Sequence, residues 1–278
     1  MRIDAHQHFW KFDPVRDGWM AEDTMGAIRK DFTPPDLLPL LESHGFDGCV
    51  AVQADQSEAE TTWLLDLAEQ FDFIKGVVGW VDLRAANIHD RLALFSRFKK
   101  LKGFRHILQG ERDRAMMLHP DFRRGINALK QADFTYDLLI LPDQLEYSKQ
   151  LVASFPGQRF VIDHLAKPRI LNGKWKEWND AITPLGSFEN LYCKLSGLVT
   201  EHHWAQWKQE DFHPYMDTIL RTFGINRVMF GSDWPVCTLA ATYAEVYGIV
   251  ETYFASFTRS EQDQVFGTNA VQFYNLSP

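Results

Sequence analysis

No stretch of the 278 residues approaches the ~20 consecutive apolar residues that a membrane-spanning helix needs. The beginning of the chain also lacks a basic segment leading into a long apolar run, so the expectation is a soluble, cytoplasmic protein. Cysteine is scarce. Cys49, Cys193 and Cys237 are odd in number, far apart and without paired spacing, which excludes a disulfide framework and suits a reducing compartment. An excess of positive charge is missing too: 29 Lys and Arg against 37 Asp and Glu give a net charge of −8, which argues against a nucleic-acid partner. A linker or shift of composition is likewise lacking, and the expectation is one domain over residues 1–278.

What the chain does contain is 45% hydrophobic residues in a regular alternation of short apolar runs and amphipathic stretches. Strand-like runs are expected at 2–8, 48–53, 76–83, 103–108, 136–140, 159–164, 191–196 and 227–233. Helical patterns lie between them. Thr33-Pro34-Pro35 caps the first and Gly45 closes it, and Ser57 with Glu60 forms a capping box for the second. The segment from Phe9 to Phe32 has no clear period and is expected to be a long loop. Eight strands alternating with helices predict an α/β fold, a (β/α)8 TIM-type barrel in a single domain with long loops on the catalytic face.

In such a barrel chemistry sits at the C-terminal strand ends. Those ends carry Asp4, His6 and His8; Gln53 and Asp55; Trp80 and Asp82; Arg105 and His106; Asp163 and His164; Lys194 and Ser196; and Ser232 and Asp233. Ionisable groups are expensive inside a barrel unless they are paired or work. His6 and His8 are two residues apart on a strand and therefore share a face, either as incidental histidines or as ligands or electrophiles. Any one of the others, such as Asp82 or Ser196, is more simply a helix cap. His6, His8, His164 and Asp233 taken together are better explained as a site.

Three motifs, Asp4-Ala-His-Gln-His8, Ile162-Asp-His-Leu-Ala-Lys-Pro168 and Met229-Phe-Gly-Ser-Asp-Trp-Pro235, resemble the amidohydrolase superfamily. More narrowly they are similar to its lactonase branch, the L-fuconolactonase-like and L-rhamnonolactonase-like sugar-lactone hydrolases. The resemblance covers nearly the whole chain. It implies that Asp233 activates the attacking water while His6, His8 and His164 polarise the carbonyl, directly or through one divalent metal ion. Three nitrogens and one oxygen from His6, His8, His164 and Asp233 suit a single Zn²⁺, and the same groups can act with no cofactor. Arg105-His106 stands where many members place a bridging lysine, and the fifth strand offers no histidine, which argues against a binuclear centre. Glu111 resembles an acidic position of the branch.

The resemblance implies a small-molecule sugar lactone as substrate and leaves the oligomeric state open. Opening a lactone needs a base for water, donors at the developing oxyanion and an acid for the leaving alkoxide. Arg105 and Lys167 are candidates for the substrate's oxygens, or for structural pairing with Asp163 or Asp82. Trp80, Glu111 and Trp234 are further candidates for substrate contact. Trp10, Trp19, Trp175, Trp204, Trp207 and Trp234 all follow strands one, six, seven or eight, where they either cover a small polyol or pack the loops together. Two rival readings stand beside the lactonase: a metal-dependent non-oxidative decarboxylase of the same superfamily, and a non-catalytic sugar-acid binding barrel.

Overall fold

The computed structural model describes residues 1–277. Its strands are β1 (Ile3–Gln7), β2 (Gly48–Val52), β3 (Ile74–Gly79), β4 (Leu101–His106), β5 (Thr135–Leu138), β6 (Phe160–Ile162), β7 (Leu191–Leu195) and β8 (Val228–Phe230). Between and after them run α1 (Pro34–Ser43), α2 (Glu58–Gln70), α3 (Ile88–Phe95), α4 (Pro120–Gln131), α5 (Leu145–Ser154), α6 (Trp175–Ile182), α7 (His213–Phe223), α8 (Tyr243–Phe254), α9 (Arg259–Asp263) and α10 (Asn269–Tyr274). The strands pair in parallel in the order β1 to β8. Main-chain bonds close the ring: Asp233 N donates to His6 O at 2.8 Å and His8 N donates to Trp234 O at 2.7 Å. The expected (β/α)8 barrel is the observed fold, and its seam joins the first motif of the chain to the last.

Local signals account for the elements. Asp36 accepts from both the backbone N and the Oγ of Thr33, each at 2.8 Å, and fixes the start of α1, while Leu37 and Leu41 bury its inner face. At α2, Ser57 Oγ accepts from Glu60 N at 3.1 Å, but the Glu60 carboxylate does not complete the box. It turns instead to Ala54 N, at 2.8 Å, and Asp55 N, and burial pushes its carboxyl up to about 7. Strands β6 and β8 are three residues long because the chain leaves the sheet at Asp163 and after Phe230 to build the site.

A large apolar layer lies between strands and helices. A second fills the barrel interior with Ile3, Ala5, Val50, Val52, Val78, Val161 and Met229, stoppered by Phe273, Tyr274 and Leu276 from the end of the chain. In β1 the register gains one residue between Asp4 and Gln7. Such a bulge re-aims side chains. It lets neighbouring residues Ala5 and His6 both face the interior, while Asp4 turns outward to accept from Ser232 N at 2.9 Å and Tyr243 Oη at 3.2 Å. Asp4 is thereby a clamp across the seam and not a member of the site.

Candidate active site

The C-terminal mouth holds a cavity of about 330 Å³. His8, His164, Asp233, Arg105, Gln109 and Lys167 supply its polar groups, and Trp10, Trp19, Ala54, Ile107, Leu139 and Val236 its apolar walls. Closure of the seam brings β1 beside the turn after β8, and Asp233, with φ of 57°, turns its carboxylate toward the histidines. Asp233 Oδ1 lies 3.4 Å from His8 Nε2, 3.8 Å from His6 Nε2 and 3.8 Å from His164 Nε2. Glycine is required beside β1 at Gly231, where a Cβ would meet His6 Cβ at 2.6 Å.

His164 arrives by an unusual route. His164, Leu165, Ala166 and Lys167 all have φ between 49° and 58°, the left-handed region that costs L-residues roughly 1–2 kcal/mol each. Surrounding structure must over-determine such a turn. Lys167 N closes it onto His164 O at 2.6 Å, and the buried Trp178 Nε1 anchors it by donating to Leu165 O at 2.8 Å. The turn aims the His164 ring at Asp233 and swings Lys167 to the cavity wall, where its ammonium is 3.7 Å from Glu201.

Each imidazole is oriented from behind. His8 Nδ1 donates to Val52 O at 2.7 Å, which leaves Nε2 facing Asp233. His164 Nδ1 meets Ser196 Oγ at 2.8 Å. His6 Nδ1 lies 3.0 Å from Lys194 Nζ and 3.3 Å from Asp163 Oδ1. Beneath it a buried network joins two cations to two carboxylates: Lys194 Nζ reaches Asp137 Oδ2 at 2.6 Å and Asp163 Oδ1 at 3.0 Å, and Arg105 Nη1 reaches Asp163 Oδ2 at 3.1 Å. Tyr274 Oη adds a 2.8 Å bond to Asp137.

Burial and then the Lys194 charge hold the His6 imidazole well below its ordinary value, and burial pushes His164 down to about 4. Burial would raise the Asp233 carboxyl, but the imidazoles around it, His164 foremost, outweigh that and hold it below the usual carboxylate range. Near neutral pH His6 and His164 are therefore neutral and Asp233 is ionised. That pairing can take a proton from water.

The lowered His164 value has a consequence for stability. The folded state takes up this proton only near pH 4, whereas an unfolded histidine takes it up near 6.5, so acid favours the unfolded chain. The contribution is fully present above pH 6.5 and is lost as pH drops, the loss reaching about 3 kcal/mol by pH 4. Urea unfolding across that window is expected to show a shallower pH dependence for His164→Asn than for wild type. Equal slopes would contradict the assignment.

His6, His8 and Asp233 also form a group able to hold a metal ion. A tetrahedral ion bound at ordinary zinc distances sets its ligands about 3.3 Å apart. His6 Nε2 and His8 Nε2 are 3.2 Å apart and Asp233 Oδ1 is 3.4 Å from His8, so this donor set fits a single divalent ion, with His164 at the edge of reach. A second grouping, His6, Asp163 and His164, fits poorly because Lys194 and Arg105 already crowd Asp163 with positive charge. Zinc added to metal-stripped protein is expected to stabilise it by about 2.7 kcal/mol at one hundred times the dissociation constant. His8→Ala should abolish that shift in a thermal melt.

Other expected contacts fall elsewhere. Trp234 is 3% exposed and packs its ring on Phe9 and Phe32, because Asp233 and Trp234 are neighbours that point opposite ways. Trp80 Nε1 reaches His106 Nδ1 at 3.4 Å and His106 Nε2 meets Glu111 Oε1 at 2.8 Å, a chain beside the cavity and not in its lining. Of the six loop tryptophans only Trp10 and Trp19 line the cavity. Trp175, Trp204 and Trp207 lie away from it and donate their indole N–H to Pro214 O, Thr200 O and Ala240 O, tying the loops together, as Trp10 also does through Lys30 O. Arg105 lines the cavity and is paired with Asp163. Asp137 went unnoticed in the sequence, although a carboxylate and a lysine inside two apolar strands are a signal that they pair.

Neutral imidazoles around an ionised carboxylate at a barrel mouth define a catalyst of the hydrolase type, with a place for one divalent ion. The chain belongs to the amidohydrolase family, whose model matches residues 3–276. It is 38% identical to the L-fucono-1,5-lactonase of Burkholderia multivorans, over 99% of this chain and 96% of that one. It is 36% identical to the L-fucono-1,5-lactonase of Burkholderia ambifaria with the same coverage. A crystal structure of an amidohydrolase from Burkholderia multivorans with bound zinc superimposes over 100% of both chains at 38% identity and a TM-score of 0.96. Among the described residues no helix is long and apolar enough to cross a membrane.

Proposed function

We propose that this protein hydrolyses a neutral sugar lactone, L-fucono-1,5-lactone or a close relative, to the sugar acid. The observation that carries the reading is the convergence of His6, His8, His164 and Asp233 on one point at the floor of a half-apolar cavity. Asp233 takes a proton from water as the water oxygen attacks the lactone carbonyl carbon. Collapse of the tetrahedral intermediate breaks the ring C–O bond, and Asp233 returns the proton to the leaving alkoxide. A divalent ion held by His6, His8 and Asp233 supplies Lewis-acid polarisation of the carbonyl when bound. Arg105 and Lys167, the two cations on the cavity wall, are the donors this reading offers to the substrate's oxygens.

The walls support a neutral substrate over a dicarboxylate. A buried carboxylate must be paired to offset its lost hydration, and the two cavity cations already face Asp163 and Glu201. Trp10, Trp19, Ile107, Leu139 and Val236 suit C–H faces and the methyl group of a deoxy sugar. The sugar acid is ionised at neutral pH, so each turnover releases a proton that an indicator reads. In a panel of aldonolactones against pyrone and muconolactone carboxylates, kcat/KM is expected to be highest for the neutral deoxy-sugar lactones. A clear preference for the charged compounds, or release of carbon dioxide from an aromatic acid, overturns the proposal.

A further inference from the structure

Gln109 carries a side chain whose hydrogen-bonding capacity is unused. It lines the same cavity as His164 and Asp233, on the segment with Ile107 and Gly110. Its main chain is held at both ends: Gln109 N donates to Leu139 O at 3.0 Å, and Gln109 O accepts from Arg114 Nη1 at 3.0 Å. Arg114 is itself fixed by a two-pronged pair with Asp143, at 2.9 and 2.8 Å. The backbone that presents the amide is therefore rigid. The amide oxygen is buried and has no partner among the described residues.

The other glutamines with an unpartnered oxygen are different in kind. Gln7, Gln53 and Gln158 each use their amide nitrogen as a structural hook, to Cys49 Sγ, Arg105 O and Phe134 O, and none of them lines the cavity. Nearby, Gln144 bonds through both ends of its amide, to Leu108 O at 2.9 Å and from Leu141 N at 3.1 Å. Gln109 alone among these combines a place on the cavity wall with an amide that makes no bond within the described residues. Buried polar groups in native proteins are nearly always satisfied, and one left open at a cavity wall points to a ligand that satisfies it.

We propose that Gln109 is a specificity-determining residue that reads one ring hydroxyl of the substrate, an inference that rests on the sugar-lactone reading of the site. The terminal torsion of a glutamine is soft, so a half-turn exchanges the positions of the amide oxygen and nitrogen at little cost. A hydroxyl both donates and accepts, so it pairs with whichever end of the amide faces it. An analogue lacking that hydroxyl leaves the amide unsatisfied in a site that has also excluded water, which makes the discrimination larger than at an exposed contact.

The test crosses enzyme and substrate changes. L-Fucono-1,5-lactone and its 2-, 3- and 4-deoxy analogues are assayed with wild type, Gln109→Leu and Gln109→Ala, each variant first checked for a native melting transition. In wild type one of the three deoxygenations is expected to lower kcat/KM by roughly 10- to 100-fold. In both variants that same deoxygenation should cost less than about threefold, while the other two keep their wild-type effects. Equal losses in wild type and variants for every analogue overturn the proposal. Calorimetric binding of L-fuconate and its deoxy counterparts reads the same coupling without turnover. If no lactone is hydrolysed but the coupling persists in binding, the lactonase reading fails and Gln109's role stands; if hydrolysis proceeds without coupling, the reverse holds.

Discussion

Asp233→Asn is expected to fold as wild type does and to hydrolyse lactones about 10³-fold more slowly, the scale on which a positioned general base contributes. The carboxylate lies in the turn after β8, outside the packed interior layers, and its backbone N still donates to His6 O in the variant. What asparagine removes is the negative charge facing three imidazoles, and with it the carboxylate assigned to accept water's proton and return it. The loss should fall on kcat, because the amide keeps the shape of the cavity floor and so leaves substrate binding near its wild-type level. Single-turnover kinetics with an indicator dye measure it. Turnover within tenfold of wild type would transfer the base to another residue, with His8, 3.4 Å from Asp233, the nearest candidate.

Lys194→Met is expected to cost about 3–5 kcal/mol of folding stability, the penalty for leaving a buried charge without its partner. Lys194, Asp137 and Asp163 are all fully buried, and with Arg105 they balance two positive charges against two negative ones. Methionine matches the length of the stem but leaves two carboxylates facing one guanidinium. Removing Asp137 as well, in Lys194→Met with Asp137→Asn, restores charge balance and should recover much of the loss. Urea unfolding of the two single variants and the double variant measures the coupling. A single-variant loss below about 1 kcal/mol would show that water or a proton compensates inside the barrel.

The same network explains why the barrel tolerates so many charges near its mouth. Lys194 stands behind His6, as Val52 O stands behind His8 and Ser196 behind His164. Each ring is held by its far nitrogen so that its near nitrogen faces Asp233. Precision of this kind comes from groups on β2 and β7 and the turn after β7, and the removal of any one loosens the ring it supports.

Much of this molecule is legible in its sequence because the physics there is local. A parallel strand buried on both faces reads as a continuous apolar run, so β2 announces itself, and caps such as Thr33 with Asp36 act within one turn. The spacing of His6 and His8 is a strand-period fact, and the three histidines and Asp233 stand out because charges in apolar strands need a reason. Tertiary structure decided the remainder. The bulge in β1 reversed the inside and outside of Asp4, an outcome strict alternation could not anticipate. Pairing of Lys194 with Asp137 joins β7 to β5 across the interior, which only closure of the barrel creates. Whether a tryptophan lines the cavity, as Trp19 does, or lies away from it tying loops together, as Trp207 does, depends on how the loops fold in space. Above all, Asp233 reaches His6 and His8 because the last strand pairs with the first, and a contact that distant along the chain is fixed by the geometry of a closed sheet.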